Sequence, residues 1–261
     1  RCAAALAAEP AGDPARLRSI AAAARAGWAR VNGAAGADGR RPEGPGGWLA
    51  EHEAKVLLRE AGVAVPDGRV VRDADDLVAA WRVLGGPLAL KCSADSVQHK
   101  TELGGVVLGL DDERSLRDAL VSLSALADAH DGAVLAERMA SPGVELIVAA
   151  HRAGVVPALV IGLGGIWTEL LSDVAVIPLP ADAARIERAL AALRGAPLLF
   201  GGRGRPAADL AAVARLGALV GDLLLERGLD TIECNPVLVG AADEGAVAVD
   251  AAIRCGGEGD G

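Results

Sequence analysis

Apolar and polar positions alternate along the chain with two periods, and these set out its elements. Residues 49–61 carry apolar side chains at helical spacing and run into Gly62, which predicts a helix with a glycine stop. Residues 63–65 and 69–71 predict short strands around Pro66–Gly68, and 74–84 a second helix halted by Gly85–Gly86–Pro87. Next comes the apolar strand 88–92, broken only by Lys91, then a polar loop over 93–102 and a glycine-bearing strand over 103–110. A helix over 113–129 and strands over 133–139, 144–150 and 155–161 follow. Gly162–Leu–Gly–Gly165 reads as a flexible loop, 174–179 as a strand and 182–193 as a helix. Phe200–Gly–Gly–Arg–Gly–Arg–Pro206 is a glycine–arginine loop before a long helix over 207–226. The chain closes with a strand over 231–237 and its return run over 245–250. Upstream, 14–31 has Leu17, Ile20, Ala24 and Trp28 on one helical face, and 32–47 is a Gly- and Pro-rich linker. Strands and helices alternate without a strict βαβ repeat. The expected class is therefore α+β or mixed α/β with two lobes, not a doubly wound sheet.

Composition narrows the function. Hydrophobic residues make up 52% of the 261, enough for a core, yet aromatics are only 2%, with no Tyr. That core must be built from Ala, Val and Leu, and a base-stacking surface is not expected. The net charge of −9 likewise argues against a nucleic-acid partner, so cations for any anionic ligand must be local. Cys2, Cys92, Cys234 and Cys255 form no CxxC pair and read as reduced thiols. With no signal-peptide pattern and no apolar run long enough to span a bilayer, the expectation is a cytoplasmic protein without a membrane partner. The chain opens at Arg1 instead of Met, which suggests the tail of a longer polypeptide.

Several positions carry candidate chemistry. In the strand beginning at Thr231, Glu233 and Asn235 share one face while Cys234 takes the other, and the return run brings Asp250 beside them. Two carboxylates and an amide oxygen are hard donors of the kind Mg²⁺ takes together with water and substrate phosphates. The competing reading is a hairpin with a solvated polar face. Lys91 is either a point charge for a phosphate or an edge lysine. Glu137 and Glu145 flank a turn and suit ribose hydroxyls, or are solvated strand carboxylates. His99 stands among polar residues just before Gly104–Gly105, a setting for a phosphate carrier or a surface residue. His52, His130 and His151 lack that setting and read as surface residues. Glu169 and Asp173 are i, i+4, and Arg194, Arg203 and Arg205 supply local cations.

Taken in order, these motifs resemble a known family. Lys91, His99–Lys–Thr–Glu–Leu–Gly–Gly, Val144–Glu–Leu–Ile–Val, Gly162–Leu–Gly–Gly–Ile–Trp–Thr–Glu169, Leu193–Arg–Gly–Ala–Pro, Gly202–Arg–Gly–Arg–Pro, Glu233–Cys–Asn–Pro and Val249–Asp250 carry the likeness. It is to the ATP-grasp domain of NDP-forming acyl-CoA synthetases such as ADP-forming acetate–CoA ligase. The resemblance implies an ATP-grasp fold over residues 48–261, with a smaller lobe near 64–132 and a larger one from 48–63 and 133–255. It implies ATP and Mg²⁺ as cofactors and a small carboxylic acid as substrate. The reaction would form acyl-CoA, ADP and phosphate through a phosphohistidine. By the same resemblance Lys91 and Arg203 contact the nucleotide, Glu137, Arg138 and Met139 form an adenine hinge, and Glu145 holds the ribose. Asn235 and Asp250, with Glu233, bind the metal, and His99 relays phosphate beside Glu169. Residues 174–179 lack the arginine that relatives often carry there. The CoA-binding and ligase domains that the family reaction needs would lie upstream or in a partner subunit. The alternative is a non-catalytic ATP-binding regulatory module attached to an acyltransferase. A different ATP-grasp carboxylate ligase is a third reading.

Overall fold

The computed structural model describes residues 47–97, 100–152, 156–164, 173–202, 204 and 206–256. The expected helix over 14–31 and the linker after it lie outside the described residues.

Two antiparallel sheets organise these residues. The smaller holds β1 (Gly68–Val71), β2 (Leu88–Ser93), β3 (Val106–Leu110) and β4 (Ala133–Arg138), in the spatial order β1-β4-β2-β3. The larger holds β5 (Val144–His151), β6 (Ala158–Leu163), β7 (Val174–Pro178), β8 (Thr231–Val239), β9 (Ala246–Ala248) and β10 (Ala251–Arg254). Its order is β10-β8-β5-β6-β7, with β9 paired to β8 beyond β10.

Each sheet buries one face under helices. Against the smaller pack α2 (Ala74–Leu84) and α3 (Glu113–Asp128), whose Leu77, Leu116 and Leu123 meet Leu88 and Leu90 in one core. A second core lies on the larger sheet under α1 (Glu51–Glu60), α4 (Ala183–Ala191) and α5 (Leu210–Glu226). Aspartates start four of these helices as the sequence allows: Asp73, Asp112, Asp182 and Asp209 accept from Asp75 and Asp76, Ser115, Arg185 and Ala212 backbone N–H groups. In α5, Val213, Leu216, Val220 and Leu224 are all buried. Each such side chain contributes roughly 1.5–3 kcal/mol by leaving water.

The structure departs from the expected elements in several places. Residues 63–65 form no strand: Val63 N–H closes the end of α1 on Leu58 O at 2.9 Å, and Ala64 O accepts from Ala248 N–H. The strand expected from 103 begins at Val106, because Gly105 N–H turns back onto Lys100 O at 2.6 Å. Gly162 and Leu163 are not loop but the end of β6, with Gly162 paired to both Ile147 and Val174. A Cβ on Gly162 would meet Asp173 O at 2.5 Å, so that glycine serves strand packing. Finally, β4 inserts between β1 and β2, so the lobe boundary falls after Arg138 and not before Ala133. Pairing between strands so distant in sequence leaves no local trace.

Candidate functional site

The buried stripe of α1 is Glu51, Ala54, Lys55 and Leu58, at i, i+3, i+4 and i+7. Ala54 and Leu58 enter the larger core, while Glu51 and Lys55 reach the smaller sheet. Lys55 Nζ lies 2.6 and 2.7 Å from the two oxygens of Glu137 on β4, and 2.7 Å from Glu51 Oε1. Lys91 Nζ, on β2, lies 2.9 Å from Glu51 Oε1 and 2.9 Å from Glu137 Oε2. The Val249 carbonyl accepts from both lysines. Lys100 donates to Glu51 Oε2 and, at 2.9 Å, to Asp250 Oδ1. Three ammoniums and three carboxylates thus interlock across the two lobes.

Burial is costly for such groups unless they are paired, and the pairing decides their protonation. Burial pushes the Glu51 carboxyl up, but the ammoniums of Lys100, Lys91 and Lys55 outweigh it and hold it well below its ordinary value. For Lys91, burial works against the charge, yet Glu51, Glu137 and Asp250 together raise it above the usual lysine range. Lys100 is raised in the same way: Asp250 and Glu51 overcome its burial. Lys55 is lowered, chiefly by burial and with the Lys91 charge beside it.

Asp250 occupies the corner between β9 and β10. Pairing of Ala251 with Cys234 puts it opposite Asn235, whose N–H donates to Asp250 O at 3.2 Å. Cys234 turns into the core, where burial and the nearby Glu233 and Asp250 carboxylates push its thiol up to about 12. Strand alternation therefore sends Glu233 and Asn235 to the opposite face. Glu233 is half-buried and Asn235 exposed. The Asp250 side chain is 33% exposed, with Oδ1 held by Lys100 Nζ and by Ala251 N–H at 2.8 Å. Among the described residues no three His, Cys, Asp or Glu side chains are grouped to hold a metal ion. An Asp, an Asn oxygen and a nearby Glu instead fit an ion that takes few protein ligands and fills its shell with water and phosphate, as Mg²⁺ does.

The remaining candidates divide. Glu137 is 2% exposed, so the solvated reading of that carboxylate is overturned. Arg138 and Met139 line a cavity of about 570 Å³ together with Val65, Asp67 and Leu238. Their backbone N–H groups are taken by Asp67 O and Pro87 O, and Arg138 Nε donates to Leu84 O at 2.7 Å. Glu145 is exposed and pairs in register with Leu238 across the β5–β8 ladder. Asp173 is buried, accepting from Arg194 N–H at 3.1 Å and Gly195 N–H at 2.6 Å. His151 is buried beside Thr231 Oγ1 at 3.3 Å, and half-buried His52 meets Ser93 Oγ at 2.9 Å, so neither is the surface residue expected. His99, Glu169, Arg203 and Arg205 lie outside the described residues. Sequence reasoning missed Glu51, Lys55 and Lys100 as site residues. For the first two a signal existed: a Glu and a Lys at i, i+4 on the stripe that otherwise carries Ala54 and Leu58.

Comparison with known proteins accords with this architecture. Residues 41–255 match the model of a family described as an ATP-grasp domain. The chain is 36% identical over 214 residues to a trans-feruloyl-CoA synthase from an unknown prokaryotic organism, spanning 78% of this chain but only 30% of that protein. It is 31% identical over 210 residues to the β subunit of ADP-forming acetate–CoA ligase I from Pyrococcus furiosus, covering 78% of this chain and 90% of that subunit. Among solved structures it resembles a dinucleotide forming acetyl-coenzyme A synthetase of Ca. Korarchaeum cryptofilum, in complex with coenzyme A, Ca-AMPCP and HgCl⁺. The TM-score is 0.75, at 28% identity and with 88% of this chain and 97% of that one covered. The two lobes, the antiparallel sheets and these likenesses make the chain a member of the ATP-grasp family, in the branch that includes the β subunits of ADP-forming acetate–CoA ligases.

Proposed function

We propose that this chain is the nucleotide-binding, phosphoryl-transferring part of an acyl-CoA synthetase. The full reaction would convert ATP, a small carboxylic acid and CoA to ADP, phosphate and acyl-CoA through a phosphohistidine. The observation that carries this reading is the Asn235–Asp250 corner, which meets Lys91 through the Val249 carbonyl and Lys100 through its own carboxylate. Oxygen donors for a divalent cation and ammoniums for phosphate thereby share one place between the lobes. The Ca-AMPCP carried by the Korarchaeum relative supports it.

In this reading Asp250 and Asn235, with Glu233 beside them, hold Mg²⁺. When bound, the ion draws charge off the phosphates being transferred. Lys91 pairs with a phosphate as a point charge, and Glu51 and Glu137 keep it protonated until the nucleotide arrives. Glu137 acts by orienting Lys91 and Lys55, while Arg138 and Met139 border the base and Glu145 bonds the ribose. Arg203 is assigned to phosphate, His99 to accepting and passing on the phosphoryl group, and Glu169 to assisting it, on the sequence motifs alone. Residues 48–261 form the working ATP-grasp unit. CoA-binding and ligase domains, in a longer chain or a partner subunit, complete the synthesis in the cytoplasm. Among the described residues no helix is long and apolar enough to cross a membrane. No feature of the described site favours the regulatory alternative.

Calorimetry tests the reading. The chain alone is expected to bind Mg·ATP and to make no acyl-CoA; a flat isotherm from a folded sample rejects it. Asp250→Ala should weaken Mg-dependent nucleotide binding by about tenfold or more with the circular dichroism spectrum unchanged. Wild-type affinity in that variant refutes the metal assignment.

A further inference from the structure

Lys100 has entered so far only as a partner of Asp250, and it is one of the tightly held cations among the described residues. It is 5% exposed and bonds two carboxylates from different elements, Glu51 on α1 and Asp250 between β9 and β10. Its own backbone is fixed as well. Gly105 N–H donates to Lys100 O at 2.6 Å, and a Cβ on Gly105 would meet that oxygen at 3.0 Å and Lys100 Cβ at 3.2 Å. The glycine therefore lets the chain double back over the lysine, with Thr101–Gly104 as the turn between them.

We infer that Lys100 is a resident counter-ion of the cation site: it neutralises Asp250 while the site is empty and passes to nucleotide phosphate when a divalent cation arrives. This rests on the reading of Asp250 as a metal ligand. The charge balance is the argument. Lys55, Lys91 and Lys100 match Glu51, Glu137 and Asp250 one for one, so these six charges balance in the free protein, with the half-buried Glu233 carboxylate beside them. A divalent cation entering at Asp250 meets an ammonium 2.9 Å from the same carboxylate. Like charges that close repel strongly at the edge of a protein interior. The ammonium relaxes by giving up Asp250, and the anion that arrives with the cation is the phosphate chain. A free divalent ion brings no such partner. The arrangement therefore disfavours the bare ion and admits the ion together with its nucleotide. Glu51 keeps hold of Lys100 throughout, so the lysine moves by exchanging one partner and not by leaving the lobe junction.

Two affinities with opposite signs test this, read by Mn²⁺ electron paramagnetic resonance and by calorimetry on the whole chain. Lys100→Met should tighten binding of Mn²⁺ alone by about tenfold, since the competing charge is gone. The same variant should weaken Mn·ATP by about tenfold, since a phosphate partner is lost. Lys100→Arg, which keeps the charge, should hold the wild-type ratio between the two. Unchanged or weaker Mn²⁺ binding in Lys100→Met, with wild type binding Mn·ATP normally, overturns the counter-ion role and leaves the nucleotide site standing. Wild type that binds no Mn·ATP overturns the functional reading, and this inference with it. Should Lys100→Met not fold, ¹⁵N-lysine NMR of the unaltered chain serves. The Lys100 ammonium should be slow to exchange before Mg·ATP and shifted after it, and an unchanged signal on saturation overturns the proposal.

Discussion

Among the described residues Glu51 holds the most heavily loaded carboxylate, with ammoniums of Lys55, Lys91 and Lys100 all bonded to it. Removing its charge leaves three buried cations to two remaining carboxylates. Glu51→Gln is expected to cost about 3–5 kcal/mol in urea unfolding, the range for breaking a buried ion pair from one side. The pH dependence has a defined sign. The folded value of Glu51 lies below its ordinary 4.5, so its contribution is complete above that pH and fades as acid protonates it. Lys91 and Lys100 titrate above their ordinary 10.5, so their contributions are complete below that pH and fade as pH rises through the raised values. The Glu51, Lys91 and Lys100 contributions should thus be level through the neutral range, with the acid limb due in part to Glu51. Unfolding midpoints measured from about pH 7 to about pH 3 should fall less steeply in Glu51→Gln than in wild type. At this scale the sequence was legible where residue type restricts use. Asp250, Asn235 and Lys91 stood out as hard donors and a lone strand lysine. Lys100 was passed over because nothing local distinguishes it from its polar neighbours.

The elements followed from local pattern wherever one face is buried. The helix expected over 74–84 is α2 to the residue, since Asp73 caps its start and Gly85, at φ +69, ends it. Strand ends were less legible because they depend on partners. β8 runs through Pro236 to Val239, carried past the expected end by pairing with β5 on one side and β9 on the other. Gly143 shows how close those partners come: a Cβ there would lie 2.4 Å from Val239 O and 2.7 Å from Val239 C. Backbone cannot step aside as a side-chain tip can. Gly143→Ala is therefore expected to destabilise the chain by about 1–3 kcal/mol in denaturant titration, by forcing β5 and β8 apart. Gly109→Ala meets open space at φ +72, and its cost should be confined to backbone strain of about 1 kcal/mol.

Across the whole molecule, two separate apolar cores are joined by a charged seam. Lys55 bridges it most directly, tying α1 on the larger core to Glu137 in the smaller sheet. Lys55→Met should loosen that coupling, so that the smaller lobe melts ahead of the larger. Differential scanning calorimetry should then resolve two transitions where wild type gives one, and a single transition at an unchanged temperature would count against the seam as the coupling element. By itself the chain determined its two-lobed α+β class, most helices and strands, and the oxygen-donor trio near its C-terminal hairpin. Those rest on periodicity and on residue chemistry, which act over a few positions. Only the tertiary structure decided that β4 belongs with the smaller sheet, and that Glu137 is a buried ion-pair partner. It alone decided that Lys55, Lys91 and Lys100 converge on Glu51, and that Lys100 reaches Asp250 as well. Such contacts join residues far apart in sequence, and their energy comes from excluding water around paired charges. No local pattern encodes that before the chain has closed on itself.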